Sequence, residues 1–473
     1  GMMGQLSSCD YLDIVPDERA QESDTWKTEG AVRGYLYSCY GYLPANRTFG
    51  NSYWLAEELT AVTKELFTTF KYGYYSPVSL GFTSNTWSTI WNGIHQCYMF
   101  QESLKQVSNE YVTDEMKKQY LAESNFLIAY YHFLSMRSYG PTMIIRSVID
   151  LETPISGFPE RSSIDEVVAF INEKLDEAMS EGGLPTTWSG KDYGRATRLA
   201  ALALKSRVYL YAASPLYNGN TEMYADFRSP LDGRQLIAQE KSQAKWEISA
   251  TQTKYAIDEV EKAKFHLYHD ADAGEPSDAK PGLPNKAQRR LRYTNIDNQT
   301  GNNPEIIWAD TRNDDYYGIQ RRCPPRQTLG GKFAGISMTN CPTLQTIEAF
   351  YTKNGLPINK DKTFDYDERY EYISAPENCD GNNYEDLVKY ANFTPSSDKV
   401  MRLCTDREPR FYAWTTYHNG YFEFGKYNNE EISADPAKRA IRIHLLRDDP
   451  HGRGNRTDQE YSISGFGNKK GVV

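Results

Sequence analysis

Three places in this 473-residue chain carry residue types that could do chemistry. Leu6-Ser7-Ser8-Cys9 sets two small residues before a cysteine, the form of a bacterial lipobox. There a signal peptide is cut and the new N-terminal Cys9 is acylated. Neither the basic start nor the apolar run of a signal peptide precedes it, so the expectation is that the leader has been removed. The second place runs from Lys71-Tyr72-Gly73-Tyr74-Tyr75 to Asn85 and Trp87. Gly73 and Pro77 break any helix there, which frees Tyr72, Tyr74 and Tyr75 from service as a helical core stripe. The third is Arg312-Asn313-Asp314-Asp315-Tyr316-Tyr317-Gly318, an irregular run of acidic, amide and paired aromatic groups. A ring face covers apolar ligand surface, and its neighbours' polar atoms fix orientation. Tyr72, Tyr74, Tyr75, Trp87, Asn313, Asp315, Tyr316 and Tyr317 are the candidate ligand-binding residues.

Catalytic and metal chemistry finds less support. No G-x-S-x-G, no H-E-x-x-H and no Gly-rich phosphate loop occurs. A glycosidase needs two carboxylates at a defined separation with one pKa raised, and among 63 acidic residues none is singled out by context. His266 and His269 have i,i+3 spacing without a third ligand, and read as a solvated helix end. His418 and Tyr417 read as structural, and Glu57 and Glu58 as a solvated face. No catalytic residue, cofactor or metal ligand is assigned.

The elements that must position the candidate residues follow from composition and periodicity. The mean hydropathy is −0.68, and no apolar run approaches the ~20 residues of a membrane helix. A net charge of −10, spread rather than blocked, argues against nucleic acid as a partner. Tyrosine is abundant: 36 Tyr stand against 19 Phe, a bias suited to half-buried packing and to binding surfaces. Of seven cysteines, Cys9 is set aside and the others are expected to be buried thiols.

Apolar spacing predicts helices over 29–43, 86–106 and 114–139, one opened by Ser163 with a stripe through Met179, and further helices over 195–213 and from 249 to about 265. Ser163 and Glu166 have the spacing of a capping box. The helices form pairs of about tetratricopeptide size, without a strict repeat. From about 270, Gly, Pro, Asn and Asp rise. Glu305–Ala309 reads as a strand, and 409–427 as a β-hairpin turning at Asn419-Gly420. The fold class expected is mainly α, a helical scaffold carrying a loop-rich part with short strands.

Several segments, in order, resemble the SusD/RagB family of Bacteroidetes surface lipoproteins. Cys9-Asp10-Tyr11-Leu12-Asp13 with Pro16 resembles its post-lipobox start. Trp91-Asn92-Gly93-Ile94 is similar to one of its helices. Ala122-Glu123-Ser124-Asn125-Phe126-Leu127, leading to Tyr139-Gly140-Pro141, resembles a second, and Gly194-Arg195-Ala196-Thr197 with Ala201–Ala212 a third. Pro342-Thr343, Phe350–Ile358 and Arg407-Glu408-Pro409-Arg410-Phe411 continue the series. The family's further C-terminal helical segment has no counterpart before Val473, so a truncated C-terminus or a missing last helix pair with exposed packing partners is expected.

The resemblance implies a SusD-like fold: tetratricopeptide-like helix pairs bearing a loop-rich subdomain that binds nutrient glycans. It implies a lipid anchor at Cys9 on the outer membrane, and a SusC-like TonB-dependent transporter as partner. It implies no catalysis. The divisions expected are 1–28 as lipobox and tether, 29–270 as scaffold with an inserted loop around 70–86, and 271–473 as a loop-rich ligand-binding subdomain packed on the scaffold, the whole expected to form one compact unit. A peptide-binding helical scaffold and a glycoside hydrolase are the competing readings. Glycan binding without product formation separates the glycan-binding reading from the hydrolase.

Overall fold

The computed structural model describes residues 26–44, 56–61, 73, 76, 78, 82–150, 152–269, 271–272, 286–297, 303–312, 322–325, 338–374, 399–423, 440–449, 451–453 and 461–470. They divide into two units interleaved along the chain: Gly1–Leu43, Trp87–Thr187 and Ala196–Ala256 form one, and Pro44–Thr86, Trp188–Arg195 and Ile257–Val473 the other.

The first unit is helical. Its helices are α1 (Glu29–Tyr40), α2 (Phe82–Leu104, from Trp87 on), α3 (Asp114–Tyr139), α4 (Ile164–Ala178), α5 (Arg198–Ala213) and α6 (Gln243–Lys262, through Ala256). Side chains start most of them. Thr28, Thr113 and Thr197 each accept an N–H of the first turn on their hydroxyls. Ser163 and Glu166 form the capping box expected from their spacing. These caps satisfy donors that a helix N-terminus otherwise leaves open.

α3 is the central rod. Phe126, Leu127, Ile128, Tyr131, Phe133 and Met136 are all buried. It packs against α1, α4 and α5, and α4 packs against α5. Along α3, α4 and α5, helices consecutive in the chain are thus neighbours in space. Buried polar groups on α3 are spoken for. Tyr40 Oη donates to Glu123 Oε2 at 2.6 Å and accepts the Ala196 N–H at 2.9 Å. Tyr131 Oη donates to the Cys39 carbonyl at 2.6 Å. Gly140, at φ +72°, ends the rod with its N–H on Met136 O.

The Ser163 cap makes a direct prediction. Ser163→Ala should cost about 1 kcal/mol, read as a lowered urea midpoint. Hydrogen bonds from the Ser163 backbone and hydroxyl hold the Glu166 carboxyl below its ordinary range. The contribution is therefore present above the unfolded carboxyl pKa and lost as pH falls through the lower, folded one. The difference between Ser163→Ala and wild type should narrow in acid.

The second unit holds short elements. Helices α7 (Lys286–Ile296), α8 (Leu344–Ala349) and α9 (Pro409–Trp414) accompany four two-stranded antiparallel ladders. β1 (Leu59–Thr60) pairs with β2 (Cys341–Pro342), and β3 (Tyr372–Ser374) with β4 (Lys399–Met401). β5 (Thr415–Thr416) pairs with β8 (Gly467–Asn468), and β6 (Tyr421–Glu423) with β7 (Ala440–Arg442). Ile347, Val400, Leu403, Phe411, Tyr417 and Phe466 share a core. The 461–470 segment is tied in: buried Lys469 donates its Nζ to Tyr412 O at 3.0 Å, and its carbonyl accepts from Arg292 Nη1 at 2.7 Å.

Two local expectations are corrected. Residues 409–427 are not one hairpin. Pro409 opens a helix at its first turn, and the strands on either side of Asn419-Gly420 take partners elsewhere. The turn itself stands, with Asn419 at φ +64°. Glu305–Ala309 is no strand. Asn303 accepts the Glu305 N–H on its side chain at 3.1 Å, and Trp308 Nε1–H donates to Gly194 O at 2.8 Å. An Asn-initiated turn and an anchored indole outweigh the apolar run.

The five described cysteines, Cys39, Cys97, Cys323, Cys341 and Cys404, are buried thiols. Among the described residues no helix is long and apolar enough to cross a membrane.

Candidate functional site: an aromatic cleft on the helical unit

Of the candidate residues, Trp87 is described. Tyr72, Tyr74, Tyr75, Asn313, Asp315, Tyr316, Tyr317 and Cys9 lie outside the described residues. Trp87 is half-buried on α2. Its ring meets Trp91 edge-on with 5.3 Å between centroids, and Tyr139 edge-on at 5.0 Å. The i,i+4 spacing of Trp87 and Trp91 puts both indoles on one helix face.

Beyond Trp91 the face opens into a cleft of about 130 Å³. Trp91, Ile94 and His95 line it from α2. Met143, Ile145, Ser147 and Ile149 line it from the extended segment after Gly140, and Phe158 joins them. Alternate residues of an extended chain share a side, which is why 143, 145, 147 and 149 all face inward. The Ser162 N–H on Thr142 O at 2.8 Å ties this segment to the chain before α4. Phe158 is 46% exposed, so the cleft is edged by an aromatic ring at the surface. Cavities of roughly 150 Å³ take one benzene ring, so the space suits a single six-membered ring.

A buried imidazole holds the wall behind the indole. His132, on α3, lies edge-on to Trp91 with centroids 6.0 Å apart. Its Nδ1–H donates to Ile128 O at 2.8 Å, and its Nε2 accepts the Ile145 N–H at 3.2 Å. One ring nitrogen must donate and the other accept, which requires the neutral form. Burial pushes the His132 pKa down to about 4, in keeping with that. On the other side of the segment, Tyr98 Oη donates to Ile145 O at 2.7 Å. Ile145 is therefore gripped through both backbone groups. Arg146 turns outward to a bidentate pair with Glu173, at 2.7 and 3.1 Å.

The lining offers aromatic and aliphatic surface, one imidazole at His95 and one hydroxyl at Ser147, with no carboxylate among the described residues. Such a surface stacks on and orients a ligand. Sequence reasoning placed Trp91 in a helix stripe and passed over Met143, Ile145 and Phe158. The signal available was the two-residue alternation of 143–149 after a helix-ending Gly-Pro.

A SusD-like family model, described as starch-binding associating with outer membrane, matches residues 10–210. The SusD family model matches residues 304–471. No curated protein sequence matches the chain. The chain is similar to the solved structure of BT4246, at 26% identity and TM-score 0.70, over 94% of this chain and 73% of that one. It shares a fold with a SusD-like protein of Bacteroides fragilis, BF3747, at 19% identity and TM-score 0.62, over 96% and 70%. Helices α1 to α4 of the first unit fall within the first of these family matches, and α8, α9 and β2 to β8 of the second unit within the other; on both counts the chain belongs to the SusD/RagB family.

Proposed function

We propose that this protein is a cell-surface glycan-binding protein that passes oligosaccharide to a SusC-like, TonB-dependent outer-membrane transporter. A lipid on Cys9 holds it to the membrane. The observation that carries the reading is the cleft lined by Trp91 and Phe158, within the very segment that matches a model described as starch-binding. A pyranose presents an apolar C–H face that stacks on an indole, and its hydroxyls take hydrogen bonds at the rim. No catalytic step is assigned: the protein binds and hands over, and separate hydrolases cut.

Calorimetry against a panel of oligosaccharides tests the reading. Binding without product formation is expected. Trp91→Ala should weaken it by about 0.5–1.5 kcal/mol, up to tenfold in Kd, as should Tyr74→Ala, Tyr316→Ala and Tyr317→Ala if those rings stack on the same ligand. Turnover of any glycan would show a hydrolase instead. Co-purification of a transporter with no glycan affinity would show a protein-binding scaffold.

A further inference from the structure

We propose that His418, His444 and Asp449 form a metal site that takes zinc and clamps the β6–β7 ladder to the segment after it. The three side chains come from chain positions that only the fold brings together. Each offers one ligand atom, and those atoms all lie within 4.8 Å of one another. Zinc takes imidazole nitrogen and carboxylate oxygen at about 2.0–2.2 Å in tetrahedral geometry, so donors sharing one ion stand roughly 3.3–3.6 Å apart. The set stands slightly open relative to that. All three residues are buried, at 6%, 2% and 5% exposure, unlike the scattered surface carboxylates that come together without purpose.

The chemistry between His418 and Asp449 points the same way. His418 Nδ1 accepts the Leu445 N–H at 3.1 Å, so in this arrangement it carries a lone pair and no proton. Asp449 Oδ2 lies 3.7 Å from that same nitrogen. Two acceptors therefore face each other in a buried place, where neither can donate to the other. A cation shared between them relieves this, and the His444 ring, 6.1 Å from the His418 ring between centroids, supplies the third ligand. A metal taking Nδ1 replaces the Leu445 N–H as that nitrogen's partner.

The backbone holds the three in place. Asn419 N–H donates to Ile443 O at 2.7 Å, and Ile443 N–H returns to Gly420 O at 2.8 Å, which locks the His418 turn beside the start of His444. His444 N–H donates to His451 Nδ1 at 2.9 Å, and His451 N–H to His444 O at 3.1 Å. Asp449 sits in the turn closed by these two bonds, its own N–H on Leu446 O at 2.9 Å. Supports of this kind preorganise a site. Two nitrogens and one oxygen suit zinc among divalent ions, since calcium and magnesium favour all-oxygen shells.

The test is zinc binding by the full chain after stripping with a chelator. Calorimetric titration with zinc chloride should show one zinc per chain and a raised melting temperature, and both should be lost in His444→Ala and in Asp449→Asn. His266→Ala, at the exposed and stacked His266–His269 pair, should bind as wild type does. Should the cluster variants fail to fold, cobalt added to the stripped wild-type protein should give the visible absorption of a low-coordinate nitrogen–oxygen site, displaced by one equivalent of zinc. No zinc uptake by the wild type, undiminished uptake in folded His444→Ala, loss of uptake in His266→Ala alone, or bound cobalt with only the spectrum of the hydrated ion would each overturn the site.

Discussion

Arg407→Met is expected to destabilise the second unit by roughly 3–5 kcal/mol, because it strands several buried carbonyls at once. Arg407 is 3% exposed. Its Nη1 donates to Leu403 O at 2.6 Å, and its Nη2 to Ile347 O and Phe350 O, each at 2.7 Å. Ile347 and Phe350 lie at the C-terminal end of α8, where a helix leaves carbonyls open and carries partial negative charge. The guanidinium thus closes a helix end, ties it to the turn at Leu403, and lies 4.8 Å from the Phe411 ring centre. Burial pulls its pKa below the ordinary arginine value. Arginine's high starting point keeps it charged at any physiological pH. Methionine fills much of the volume and supplies no donor. Lysine supplies one point charge where a planar fork is used, so Arg407→Lys should recover only part of the loss. Urea unfolding of both variants measures this. A shift under about 1 kcal/mol in Arg407→Met would mean that water replaces the guanidinium.

Gly93→Ala is expected to cost roughly 1–3 kcal/mol, the range for overpacking a filled core, although it puts the better helix former inside α2. On helix propensity alone the change should gain about 1 kcal/mol. The added Cβ would stand 2.7 Å from Tyr131 Cζ and 2.9 Å from both Cε atoms. Tyr131 has no room to withdraw: its ring is fully buried, and its hydroxyl is held by the Cys39 carbonyl at 2.6 Å. The helices must separate or the tyrosine must give up its bond. Thermal melts should show the single variant destabilised. Combining it with Tyr131→Leu should cost less than the sum of the two changes, since the pair is in direct contact. An unchanged or raised melting temperature in Gly93→Ala would mean that α2 shifts freely over α3. The displacement should also reach ligand binding, because Trp91 and Ile94 flank Gly93 and line the cleft.

The sequence by itself determined the helical unit, since its information there is local. Ser163 and Glu166 specify a helix start within four residues. The 3.6-residue apolar period specifies the buried face of α4, and Gly140-Pro141 marks where α3 must stop. The ordered family segments carried the fold as a whole. The tertiary structure alone decided the partners. Asn419-Gly420 marks a turn, yet nothing local says that Thr415–Thr416 pairs with Gly467–Asn468, because strand pairing rewards burial against distant residues. Gly93 looks like a weak point in a helix until Tyr131 is set against it, and Arg407 like a surface charge until three carbonyls converge on it. His418, His444 and Asp449 are spread over 32 positions and meet only through the β6–β7 ladder and the turn after it. Trp87 was legible as a candidate aromatic at the head of the 86–106 helix. The cleft beside it was not, because its second wall is an extended segment whose alternation acquires meaning only when His132 and Tyr98 fix Ile145 against α2.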